Sequence, residues 1–113
     1  MKHKALQNYL KAFRKKSGLS QYEIGKIIGF HDGGQVSRHE RSQSVPTLEN
    51  ALAYAAILQV PITQIFAGLS SATAHAIEKK IDQIESDLRS SDKEKCRSIT
   101  AQKLAWISKR KSL

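Results

Sequence analysis

The chain has 113 residues, with 19 Lys/Arg against 10 Asp/Glu and a net charge of +9. That length suits one compact domain, or one small domain with an appendage, and excludes most two-domain enzymes. A basic chain with no long apolar run points to a polyanionic partner and away from a membrane span.

Leu6, Tyr9, Leu10 and Phe13 recur at i, i+3, i+4 and i+7, which predicts a first helix over about residues 4–17, ended by Gly18 in a left-handed cap. Ser20 and Glu23 form a capping box, and Leu19 is placed to staple onto Ile24 across it. The second helix so started is expected to turn Ile24, Ile27 and Ile28 inward and to stop at Gly29. Gly25 lies inside it, where glycine costs about 1 kcal/mol relative to alanine, so close approach of the next helix is expected there. The turn Gly29-Phe30-His31-Asp32-Gly33-Gly34 leads to a basic helix, Gln35-Val36-Ser37-Arg38-His39-Glu40-Arg41, with Asp32 as its expected N-cap and Val36 inward. After a polar loop, Pro46 and Thr47 open a fourth helix with Leu48, Leu52, Ala55 and Leu58 as its apolar stripe. Val60-Pro61 breaks the chain, and Ile62, Ile65 and Phe66 supply a short fifth helix before Gly68.

Composition shifts at Ser70-Ser71, giving an expected division into residues 1–69 and 70–113. Ile77, Ile81, Ile84 and Leu88, at spacings of four, three and four, form a narrow seam on a helix of about residues 72–89. Ser90-Ser91-Asp92 reads as a turn, and a last helix carries Ile99, Leu104, Trp106 and Ile107. Each of these two amphipathic helices must bury its apolar face, in a hairpin, in a dimer interface, or in both at once.

The ordered set Leu19-Ser20-Gln21, Ile24, Ile27-Ile28-Gly29, Val36-Ser37-Arg38-x-Glu40-Arg41 and Pro46-Thr47-Leu48 before Leu52-Ala53, with Val60 to Phe66 behind it, resembles the Cro/phage-repressor-type (XRE) helix-turn-helix family over residues 5–68. The resemblance implies an all-α fold, a five-helix repressor-like domain followed here by the C-terminal helical hairpin. It further implies a sequence-specific transcriptional regulator, a repressor binding a palindromic operator on double-stranded DNA as a homodimer, with residues near 33–42 as the recognition helix. The family's roles fall on Gly33, Gly34, Gln35, Ser37 and Arg38 as groove-facing residues, with Arg38 suited to guanine and Gln35 to adenine. They fall on Gln21 as a phosphate contact at a helix N-terminus, and on Glu40 as the partner of Arg14. Arg41, Ser42 and Ser44 follow the helix and are expected at phosphate; Lys15, in a basic pair with Lys16, reads either as a further phosphate contact or as part of a solvated face. The chain departs from the family in a turn one residue longer and in the bare Gly33-Gly34. These shift the expected base contacts toward Gln35 and Arg38 or toward His31 and Asp32. His39 stands where an apolar residue is common and is expected to pack on the inner edge of its helix; Tyr9, Phe13 and Tyr22 are expected in the core.

A second reading makes the C-terminal seam Ile77, Ile81, Ile84 and Leu88 the primary site of an antitoxin-like or adaptor protein that binds a protein partner and uses DNA for autoregulation. Enzyme chemistry finds no phosphate loop, acid pair or triad. His3, His31, His39 and Cys96 have no metal-ligand spacing, so neither metal nor cofactor is expected. The lone Cys96 cannot form an intramolecular disulfide, and no secretory signal is legible after Met1, so a cytoplasmic, bacterial or phage-type protein is expected, nucleoid-associated when bound. Lys109-Arg110-Lys111 reads either as a DNA grip or as a solvated end.

Overall fold

The computed structural model describes residues 8–90 and 97–112, all of it helix, turn and loop with no strand among the described residues. Seven helices follow in order: α1 (Leu10–Ser17), α2 (Gln21–Ile28), α3 (Gly34–Glu40), α4 (Leu48–Leu58), α5 (Ile62–Ile65), α6 (Ala67–Ser90) and α7 (Arg97–Lys111). The chain forms two compact units, residues 1–72 and 73–113, so the dividing point lies within α6.

In the first unit α1 starts at Leu10, later than the periodicity suggests. Asn8 Oδ1 accepts the Leu10 amide at 3.1 Å, and the Tyr9 amide donates to the Ile65 carbonyl at 2.7 Å, which holds residues 8–9 out of the helix. Leu6 lies outside the described residues. The capping box is complete: Ser20 Oγ accepts the Glu23 amide, and Glu23 Oε1 accepts the Ser20 amide at 2.9 Å. Gly18 and Gly29 end their helices with positive φ.

Each of the first five helices contributes to one core: Leu10, Ile24, Val36, Ala51 with Tyr54, and Ile65 with Phe66 just beyond α5. Three expected faces are corrected. Ile27 of α2 is 59% exposed, while Ile24 is sealed and Ile28 half-buried. In α4 the buried positions are Ala51 and Tyr54, whereas Leu48 and Leu52 face solvent. Tyr9 and Tyr22 are exposed, and only Phe13 packs on the core. Gly25 is indeed pressed, though not by the body of the next helix: a methyl group there would stand 2.4 Å from the Asp32 carbonyl oxygen in the turn.

α6 begins at Ala67, not at residue 72, and so takes in Gly68 and the compositional shift at Ser70. Within residues 73–113, Ile81, Ile84 and Leu88 of α6 face Ile99, Trp106 and Ile107 of α7 across an apolar cleft of about 530 Å³. Arg110 pairs with Glu78 at 2.6 Å, and Lys111 pairs with Glu85 at 2.7 Å and Asp82 at 3.3 Å, so two residues of the C-terminal basic run are tied to α6. Ile107 is the buried side chain here, while Ile77, Ile84, Ile99 and Trp106 stay about half exposed. The expected turn at residues 91–92 and Cys96 lie outside the described residues.

Candidate nucleic-acid interface

The short helix α3 alternates two kinds of residue. Val36, His39 and Glu40 face the body; Gln35, Arg38 and Arg41, its C-cap, face solvent. Ser37 and Gly34 are partly covered between them.

The inner residues hold the helix by polar as well as apolar contact. Glu40 has a side chain only 2% exposed and collects donors from two other helices. Arg14 of α1 reaches it with Nε to Oε2 and Nη2 to Oε1 at 3.3 Å, and Gln21 of α2 donates from Nε2 to Oε1 at 2.9 Å. Arg14 Nη1 also donates to the Leu19 carbonyl. A carboxylate so buried would be costly unpaired; three donors from α1 and α2 offset that cost and fix the roll of α3. His39 is 4% exposed, deeper than expected. Its Nδ1 shares a 2.6 Å hydrogen bond with the Tyr54 hydroxyl, and its ring meets Phe30 and Tyr54 edge-on. Burial, and secondly the Arg38 charge, hold the imidazole below its ordinary 6.5. Burial, then Glu40, push the Tyr54 phenol up from its usual range.

At the start of α3, Asp32 is not the N-cap. Gly33 occupies that place, and Asp32 Oδ1 accepts the Gly34 amide at 2.8 Å in a turn one residue earlier. Glycine at 33 has a steric cause: a methyl group there would stand 2.9 Å from the Tyr22 nitrogen and 3.0 Å from Gln21 Cβ. The turn thus rests on the first turn of α2. A methyl group on Gly34 would stand 3.1 Å from Asp32 Oδ1, the oxygen that accepts the Gly34 amide, and at ordinary contact distance, 3.7 Å, from the Arg38 guanidinium.

The remaining expected contacts gather around these ends. Gln21 is partly covered and spends one N–H on Glu40. Arg41 is exposed, with Nε donating to the Ser37 carbonyl at 3.3 Å. Ser42 and Ser44 are partly covered in the following loop, and Lys15 is exposed on α1. Two holding residues escaped sequence reasoning. Tyr54 read as one more α4 residue, because the signal that it partners His39 exists only in space. Asn8 donates from Nδ2 to the His39 carbonyl at 2.9 Å and to Ser42 Oγ at 3.0 Å, partners that only the packed helices bring to it. Among the described residues no group of three His, Cys, Asp or Glu could hold a metal ion, and no helix is long and apolar enough to cross a membrane. His3 lies outside them, and His31 is exposed.

A helical body that clamps one short helix by its inner face and leaves glutamine and arginine outward is the construction of a helix-turn-helix DNA-binding protein. Residues 10–65 match the model of the helix-turn-helix family, and the chain belongs to it, as a DNA-binding transcription regulator of the Cro/phage-repressor type. No curated protein and no solved structure matches the chain.

Proposed function

We propose that the protein is a cytoplasmic repressor that binds a palindromic operator as a homodimer, with α3 in the major groove. The observation that carries this reading is the outward pair Gln35 and Arg38 on a helix whose other face is locked by Glu40 and His39. Arg38 suits bidentate contact with guanine O6 and N7, and Gln35 suits adenine N6 and N7. Gly34 and Ser37 would be small neighbours of these two at the base edges, with Gly33 at the entry to the helix. Gln21, Arg41, Ser42, Ser44 and Lys15 would meet phosphates, which set register and affinity but not sequence.

Dimerisation is assigned to residues 70–113. Among the described residues the two helices bury one side chain and leave Ile77, Ile84, Ile99 and Trp106 half exposed, a small core of the kind that is marginal without an added constraint or a partner. A second hairpin laid over the seam Ile77, Ile81, Ile84 and Leu88 would give a four-helix unit, and the dimer would present two recognition helices about 34 Å apart. The same apolar cleft supports the adaptor reading, in which a different protein covers it. Pull-down of a partner lost on Ile81→Asp, with DNA binding kept, would favour that reading; loss of the dimer favours ours.

The test is selection of bound duplexes from a random pool at stated salt. An enriched inverted repeat is expected, and no enrichment over unselected DNA would sink the proposal. Arg38→Ala should then cost about 1–3 kcal/mol at one base position of each half-site and relax the sequence preference there. Equal loss on enriched and random duplexes would remove Arg38 from base reading.

A further inference from the structure

The recognition helix ends in an unusual way. The Ser42 amide donates to the His39 carbonyl at 3.2 Å, and the Gln43 amide donates to the Arg38 carbonyl at 2.9 Å. These paired bonds form a Schellman ending, which needs a left-handed residue just past the C-cap, most often glycine. Here the residue is Ser42, with φ +57°. Serine has no backbone reason to sit there, because its Cβ crowds the following carbonyl. An outside support is present. Asn8 donates from Nδ2 both to the His39 carbonyl and to Ser42 Oγ, while its Oδ1 accepts the Leu10 amide. One side-chain amide therefore ties the first turn of α1 to the last turn of α3 and to the corner beyond it. Serine in place of glycine makes sense if its hydroxyl is wanted as the acceptor of that tie.

We propose that Asn8 is a positioning residue for DNA binding: acting through Ser42, it sets the corner after α3 so that Arg41 to Ser44 meet the phosphate backbone while Arg38 enters the groove. This rests on the regulator reading above. Asparagine is the side chain that can do both jobs at once. Aspartate could cap Leu10 but has no hydrogen to give to the His39 carbonyl, and serine could cap Leu10 but is too short to span to Ser42.

The test compares the parent, Asn8→Ala, Ser42→Gly and the double variant on a selected duplex and on a scrambled duplex of equal length. Ser42→Gly should melt no lower than the parent, since glycine relieves the left-handed backbone. It should nevertheless bind the selected duplex about fivefold more weakly, the scale of one hydrogen bond. Asn8→Ala should lose a similar factor, with a shallower dependence on salt, and the double variant should bind no more weakly than either single one. Asn8→Ser, whose hydroxyl can still accept the Leu10 amide, separates loss of the tie from loss of fold and should bind like Asn8→Ala. Without DNA, amide exchange at Ser42 and Gln43 should quicken in Asn8→Ala. Parent-like affinity of Asn8→Ala, or fully additive losses, or unchanged exchange at both amides, would overturn the proposal. A parent that binds no duplex would overturn the regulator reading and this role of Asn8 with it, and the exchange rates would still report whether the corner is pinned.

Discussion

His39 and Glu40, adjacent on one helix, bury polar groups by different means, and their variants should behave differently. The fold prefers neutral imidazole at His39, so its contribution is complete above about pH 6.5 and is lost as pH falls toward the lowered folded-state value. Urea unfolding at pH 7.5 and pH 5 should show a loss in the parent that shrinks in His39→Gln; an equal pH loss in both would show that another group is responsible. Around Glu40 the asymmetry is between one partner and two. Glu40→Ala strands the Arg14 guanidinium, whose side chain is 12% exposed, and should cost about 3 kcal/mol, whereas replacing Arg14 and Glu40 together by Met and Leu should cost far less. Similar losses in the single and double variants, measured by denaturation, would count against a buried pair. Neither the Tyr54 hydroxyl behind His39 nor the Gln21 amide on Glu40 could be read along the chain, because each bond joins residues that only the packed helices bring together.

Two helix starts are legible along the chain, whereas the starts of α1 and α6, the N-cap of α3 and several helix faces are not. Ser20 with Glu23, and Thr47 ahead of Asn50, are local signals satisfied within one turn, and both caps form. Thr47→Ala should therefore cost about 1 kcal/mol by thermal melting. Faces depend on what lies opposite. In α4 an apolar count favours Leu48 and Leu52, yet Ala51 and Tyr54 turn inward, where the Tyr54 phenol reaches His39. In α2 the same count favours Ile27 inward, although a helix of eight residues, about two turns, buries Ile24 and part of Ile28 and leaves Ile27 exposed. Gly25 joins the two kinds of information. Glycine inside a helix signals close approach, but only the structure shows that the neighbour is the Asp32 carbonyl. Gly25→Ala should thus lower the melting temperature, against the gain of up to about 1 kcal/mol that alanine brings in an uncrowded helix. A rise would mean that the turn yields without strain.

At the scale of the molecule, the five-helix body was readable in its order and spacing because each helix carries its own start or stop residue. The C-terminal helices were readable as amphipathic, but a seam cannot say what covers it. Sedimentation of the full chain should show a dimer that Ile84→Asp converts to monomer while the helix signal of residues 8–65 persists; Ile84 is 54% exposed in the single chain, so that charge has solvent to face there. A monomeric parent would remove the assignment. The partition of α3 into anchored and outward positions bears on how such a protein could change its target. Among the described residues neither Gln35 nor Arg38 spends its side chain on a hydrogen bond or ion pair with the scaffold; the Arg38 charge acts on buried His39 only electrostatically. New side chains at those two places would redirect the reader toward other DNA words at little cost in folding, while Val36, His39 and Glu40 stay fixed, so divergence of operators should be cheap for this architecture and divergence of its clamp dear.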